Sequence, residues 1–312
     1  MTVAFTVVEA GLLTTVQDLG RPGAIAAGVP PGGAMDRFAH RAANLLVGNA
    51  PQDATLECTL TGPVLGVEHA CVIAITGADL DARINGEPVE TWTSVFVAAG
   101  SRVHFGGRRS GARAYIAVGG GFEGDRWLGS RSTSLMASRG GMHGRALAAG
   151  DELAFAIERA SPSVAGRRLA EGLRPRYSEH ALAVMPGPHA RRLDPGSRQA
   201  LFAETFTVGH DSDRMGYRLE GATLQATGEE LLSFGLVAGA VQLPSSGRPI
   251  LLLADHQTAG GYPVIATVVS ASLPVAAQLA PGDSLRFVQV TAAQARARRL
   301  EQAQALATLP AP

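Results

Sequence analysis

The 312-residue chain carries 27 basic and 27 acidic side chains, for no net charge. No block of like charge stands out, which argues against a nucleic-acid or anionic-membrane partner. All the basic residues are arginine; without lysine the chain cannot carry biotin, form a pyridoxal Schiff base or supply a P-loop lysine, so ATP or biotin chemistry would need another polypeptide.

The length suggests about two domains, and a hydrophobic content of 46% is ample for a core. With 38 glycines and 18 prolines, many short elements and a mainly β fold are expected. The N-terminal MTVAFTVVEAGLL has no basic start or cleavage site, so no signal peptide is read there, and no apolar run approaches the roughly 20 residues of a membrane span.

In chain order, a long glycine-rich loop at Thr14–Asp36 leads into a one-sided apolar helix at Ala34–Asn49, with Gly48 as its stop. Cys58 and Cys71 lie in apolar strand patterns. They read as buried inert thiols, with a disulfide or nucleophile as the alternatives, and fit a reducing cytoplasm. Strands follow at His69–Ala78, at Ala82–Glu90 around an Asn85-Gly86 hairpin turn, and at Arg113–Gly121. The polar stretch Glu158–His180 is read as the boundary between two β-rich halves, residues 1–165 (with helix 34–48) and 180–290. The second half opens with strands at Ala181–Pro188 and Gly239–Pro244, with a helix near Ser197–Glu204. A helical tail, 291–312, begins with a capping-box spacing at Thr291 and Gln294. One corner occurs three times, as VAAGSRVHF, LAAGDELAF and LAPGDSLRF, each turning at a glycine (Gly100, Gly150, Gly282) into an alternating strand.

None of the eight histidines pairs with another at a ligand spacing, so no metal site is expected, and no GxSxG, GxxxxGK or strand-linked GxGxxG motif is present. Three segments exceed what folding alone requires. Gly32, Gly33, Met35 and Asp36 precede the first helix, where outward amides can hold an anion or carbonyl oxygen; a simple loop and helix start is the other reading. In HDSDRMGYRLEG, Arg214 or Arg218 could clamp a carboxylate or phosphate near Tyr217, or the segment is an ion-paired strand. In DHQTAGGYP, Asp255 ends an apolar strand, where desolvation would make it a better base. Gln257, Thr258 and Tyr262 offer hydrogen bonds, and Gly260-Gly261 admit a flat ligand; the alternative is a glycine hairpin with a satisfied aspartate.

GVPPGGAMDRFAHRAANLLVGN, LGSRSTSL, DRMGYRLEG and DHQTAGGYPVIATV, in that order, resemble the allophanate hydrolase subunit 2 family. That family is also called the C subunit of 5-oxoprolinase, or the biotin-dependent carboxyltransferase family. The resemblance covers nearly the whole chain and implies two β-barrel units of cyclophilin-like architecture with a few short helices. It also implies a companion chain, the family's subunit 1 (the B subunit of 5-oxoprolinase), around a shared cleft. The family commonly has arginine at the position of His256 and glutamate at that of Phe234.

The function so implied is that of one member of a cytoplasmic hetero-oligomer that opens the 5-oxoproline lactam with ATP. Asp255, Tyr262 and Arg214 would serve the chemistry, and Gly32, Gly33, Met35, Asp36, Tyr217, Gln257, Thr258, Gly260 and Gly261 would hold the substrate. No cofactor is expected on this chain alone: ATP enters through the complex, and biotin through a partner. The alternatives are carboxyl transfer from carboxybiotin to urea or a related amine, and a non-catalytic partner of subunit 1.

Overall fold

The computed structural model describes residues 2–157 and 162–310. Residues 158–161, which open the expected boundary stretch, lie outside the described residues, as do Met1 and 311–312 at the ends of the first half and the tail. The chain divides into two units. The first comprises Met1–Arg21, Gly32–Arg174 and Ala303–Pro312, the second Pro22–Pro31 and Pro175–Gln302.

The first unit holds strands β1 (Val3–Glu9), β2 (Leu13–Gln17), β3 (Thr55–Thr59), β4 (Val64–Val67), β5 (Cys71–Asp79), β6 (Ala82–Ile84), β7 (Glu87–Pro88), β8 (Ser94–Val97), β9 (Arg102–Phe105), β10 (Ser110–Val118) and β11 (Glu152–Ala154). They form a six-stranded sheet, β11-β1-β4-β9-β6-β7, and a five-stranded sheet, β2-β3-β10-β5-β8. Alternation along each strand decides what goes between them. Phe5, Leu65 and Val103 from one sheet and Leu56, Ile73 and Ile116 from the other share a single apolar core. The opposite face of β5 and β10 is also buried, because helix α1 (Arg37–Leu46) packs on it; the Thr76 hydroxyl donates to the Ala39 carbonyl at 2.8 Å. Two-sided burial is why CVIAI reads as a continuous apolar run. The Asn85-Gly86 turn joins β6 and β7 with both residues at positive φ, 53° and 92°, as a two-residue hairpin requires.

Cys58 and Cys71 are free and buried in this core. Burial pushes the Cys71 thiol up to about 12 and the Cys58 thiol up further. Thiolate is the reactive form; iodoacetamide at pH 7.5 is therefore expected to leave both unmodified in the native protein, with stoichiometric labelling only after denaturation, as read by intact mass.

The second unit is built on β12 (Ala181–Pro186), β13 (Phe206–Val208), β14 (Gly216–Glu220), β15 (Phe234–Gly235), β16 (Ala240–Gln242), β17 (Ile250–Leu252), β18 (Ala259–Gly260), β19 (Val264–Val268) and β20 (Ser284–Gln289). Seven of these close a barrel in the order β12-β19-β16-β17-β14-β13-β20, and β15 pairs with β18 apart from it. Closure comes from a parallel pair, in which Ala181 to Val184 of β12 match Arg286 to Gln289 of β20. Tyr217, Leu251, Val241 and Ala266 form one inward row across four strands, each at most 1% exposed. Helix α2 (Pro195–Ala203) is capped by Asp194, whose carboxylate accepts the Ser197 amide at 3.0 Å. Helix α3 (Leu273–Ala277) is a short turn, and α4 (Ala292–Ala307) starts in the capping box expected from the sequence: Thr291 and Gln294 each accept the other's amide.

The thrice-repeated corner is one structure used three times. Gly100, Gly150 and Gly282 all have φ between 82° and 89°. Each donates its amide to a valine carbonyl of a neighbouring strand, Val67, Val7 and Val208, at 2.7 or 2.8 Å. Positive φ is the reason for glycine at all three. Among the described residues no helix is long and apolar enough to cross a membrane.

Candidate functional site

In the second unit, β14 and β17 continue their pairing past the strand ends: Leu253 donates to Met215 at 3.0 Å and Asp255 to Arg214 at 2.9 Å. This brings two side chains 41 positions apart together. The Arg214 guanidinium donates to both Asp255 oxygens, Nε to Oδ2 at 2.8 Å and Nη2 to Oδ1 at 3.2 Å. Only 7% of the Arg214 side chain and 19% of that of Asp255 are exposed. A bidentate pair this sheltered is strong and rigid. Asp255 is thus a paired carboxylate rather than an isolated desolvated one, and Arg214 directs its fork inside the protein.

The loop after Asp255 turns back at once. His256 is buried, which lowers its pKa, and its Nδ1 lies 2.7 Å from the Gln257 carbonyl oxygen. The Gln257 amide donates to Gln242 Oε1 at 3.0 Å. Thr258 gives its carbonyl to the Leu236 amide. Gly260 pairs with Phe234, and a Cβ on it would stand 3.0 Å from Leu236 Cδ1; on Gly261 it would stand 2.9 Å from the Leu231 oxygen. The two glycines therefore let the 231–236 segment pack closely, a demand the sequence pattern does not reveal. Tyr262 is half exposed.

On the outward face of the barrel lies a cavity of ≈ 660 Å³, lined among others by Gly216, Arg218, Gln242, Ile250, Gln257 and Tyr262. Register explains its floor. Arg218 lies opposite Ile250, and Ile250 opposite Gln242, so the three side chains stand in one row on the same face. Two expected site residues, Gln257 and Tyr262, line it; Asp255 and Arg214 buttress the loop that carries Gln257. Tyr217 points the other way, into the barrel, where its hydroxyl donates to the Leu279 carbonyl at 2.9 Å. Gln242 was not singled out by sequence reasoning. The signal was present: a polar residue at an alternate position of the apolar run GAVQLP.

The remaining expected residues belong to the first unit. Asp36 is fully buried and caps α1, its Oδ1 accepting the Phe38 and Ala39 amides at 3.1 and 2.9 Å. The Met35 amide donates to Glu57 Oε2 at 2.9 Å, the Tyr115 hydroxyl to the same oxygen at 2.7 Å, and the Asp36 amide to the Tyr115 hydroxyl at 2.7 Å. Burial raises the Tyr115 pKa well above its ordinary value, which keeps the phenol a donor. Gly32 and Gly33 are buried with φ of 62° and 90°, and a Cβ on Gly33 would meet the Gly20 nitrogen at 2.7 Å. This segment is locked by cap and close packing. Removing the shared hydroxyl in Tyr115→Phe leaves a buried amide and carboxylate each short of a partner. The expected cost is about 2–3 kcal/mol, read from urea denaturation.

Among the described residues no three His, Cys, Asp or Glu side chains cluster as a metal site.

The closed barrel with its polar outer-face cavity and the two-sheet unit together match an enzyme of known structure, and the matching family model makes this a carboxyltransferase domain. The crystal structure of the Kluyveromyces lactis urea carboxylase matches it with a TM-score of 0.92 at 29% identity, covering 99% of this chain and 29% of that one. The chain belongs to the carboxyltransferase domain family, subdomain A and B, whose model matches residues 27–289. It is 37% identical over 297 residues to the C subunit of the 5-oxoprolinase of Escherichia coli (strain K12), covering 95% of this chain and 94% of that protein. It is 32% identical over 317 residues to the urea amidolyase of Saccharomyces cerevisiae, of which it spans 17%.

Proposed function

We propose that this chain is the C subunit of a 5-oxoprolinase-type complex, which uses ATP and water to open the 5-oxoproline lactam to glutamate. The observation that carries the reading is the near full-length match, in both directions, to a protein of that name. A companion chain, the B subunit of such a complex, would supply what a lysine-free chain lacks, including the groups that handle ATP, which activates the lactam carbonyl for attack. This chain's part is to bind and orient the amide in the barrel cavity. Gln257 and Tyr262 would hydrogen-bond the ring, and Asp255, held by Arg214, would accept a proton from the attacking water.

A second reading is favoured by the structural match: carboxyl transfer to urea or a related amine, with biotin on a separate carrier. The test is turnover by the co-purified complex. Glutamate release from 5-oxoproline with ATP, and no biotinylated protein on an avidin blot, is the expected result. A co-purifying biotin carrier with bicarbonate-dependent consumption of urea would replace the first reading by the second.

A further inference from the structure

The chain does not pass smoothly from the cavity loop into β19. Against β16 the register slips at the loop end: Val241 lies opposite Ala266, but Gln242 lies opposite Val264, which leaves Ile265 as a bulge. His189 holds the bulged chain by both polar groups of Val264. Its backbone amide donates to the Val264 carbonyl at 3.0 Å, and its ring Nδ1 accepts the Val264 amide at 3.1 Å. The same ring packs on Phe234, with centroids 4.9 Å apart. Phe234 pairs in turn with Gly260 across the β15–β18 ribbon. His189 thus touches both supports of the loop: Val264, where the loop ends, and the short strand that pairs with its middle. Gln257 and Tyr262, on either side of Gly260, line the cavity; His189 lies outside it.

A backbone N–H can only donate, so Nδ1 keeps its lone pair and the proton of the neutral ring sits on Nε2. A second proton, on Nδ1, would set two donors against each other at 3.1 Å. The surroundings oppose that proton too. Burial lowers the His189 pKa, and the Arg192 charge lowers it further. The strands packed on the ring bring no charge to it, since β19 reads VIATV and β15 reads FG. Glu229 and Glu230, upstream of β15, are exposed, where solvent screens them.

Resting on the reading above, we propose that His189 is a positioning residue for the ligand-holding part of the loop: its neutral imidazole pins Val264, so that Gln257 and Tyr262 meet the amide from a fixed place. Asp255 does not depend on that pin, because Arg214 holds it. The loop is therefore secured twice, its ligand-holding part by His189 and its carboxylate by Arg214.

Variants of His189 in the co-purified complex test this. His189→Phe keeps a ring against Phe234 and the backbone bond to Val264, so the fold is retained, but it has no acceptor. His189→Asn supplies an acceptor that does not titrate, and His189→Gln serves if asparagine is too short. Exchange of the Val264 amide, followed by NMR in the full-length chain, should quicken about 10-fold in His189→Phe, the scale of one hydrogen bond. In the complex the same variant should raise KM for 5-oxoproline about 10-fold and change kcat by less than about 3-fold. His189→Asn should restore both readouts. Wild-type KM should climb as pH falls below about 6.5, where the ring begins to take up its second proton, and climb less in His189→Asn. The slope that remains there belongs to His256, which titrates in the loop itself. If His189→Phe leaves Val264 exchange or KM at the wild-type value, if kcat falls as far as KM rises, or if neither amide variant restores KM, the positioning role is overturned while the 5-oxoprolinase reading stands. If the wild-type complex is inactive on 5-oxoproline, both fall.

Discussion

Replacing Asp255 by alanine is expected to destabilise the second unit by about 3 kcal/mol and to lower turnover of the assembled complex by at least about 100-fold. The stability loss follows from geometry: Arg214, with 7% of its side chain exposed, would keep a charge without its bidentate partner. Removing both charges gives a different answer. A buried pair replaced by apolar side chains of similar size is often neutral, so Arg214→Met with Asp255→Leu should recover most of the urea-denaturation midpoint. If Asp255 is the proton acceptor proposed above, turnover should not recover. A double variant both stable and active would reduce the pair to a strut for the loop and remove Asp255 from the chemistry.

Acidification from pH 7 to pH 4 is expected to cost the first unit about 3 kcal/mol through His40 alone. His40 is fully buried on α1, with Nδ1 2.9 Å from the Thr55 hydroxyl. Burial lowers its pKa from 6.5 to about 4. The unfolded chain therefore takes up a proton at a pH where the folded one does not. Stability is complete above about 6.5 and is lost progressively as pH falls towards 4, where at about 1.36 kcal/mol per pH unit the loss reaches the figure above. His256 and His189 are lowered too, by burial, and act in the same direction in the second unit. Attribution thus needs the variant: His40→Gln should flatten the pH dependence of unfolding followed by the fluorescence of Trp92, which packs against Phe38 of α1. An unchanged slope would clear His40 of the effect.

Local features were legible in the sequence and non-local ones were not. The α1 periodicity, the Asn85-Gly86 hairpin, the capping box at Thr291 and the three glycine corners depend on residues within a few positions of one another, and each lies where the pattern puts it. The α1 helix starts at Arg37 rather than Ala34, because Asp36 serves as the cap. The Arg214–Asp255 pair was visible only as two separate candidates, since 41 residues intervene and only the β14–β17 register joins them. Gln242 escaped notice because the side chain it contacts, Gln257, lies on another segment 15 positions away. The assignment of Pro22–Pro31 to the second unit likewise has no local signature.

The parallel pairing of β12 with β20 has a consequence for biosynthesis. The strand that seals the barrel is the last of the unit to leave the ribosome, about 100 residues after the one it must join, and bringing such distant segments together carries the largest loop-closure entropy in the unit. A nascent chain stalled before Ser284 would expose the unpaired edges of β12 and β13 to chaperones or to other chains, so its resistance to protease should rise abruptly once Gln289 clears the exit tunnel.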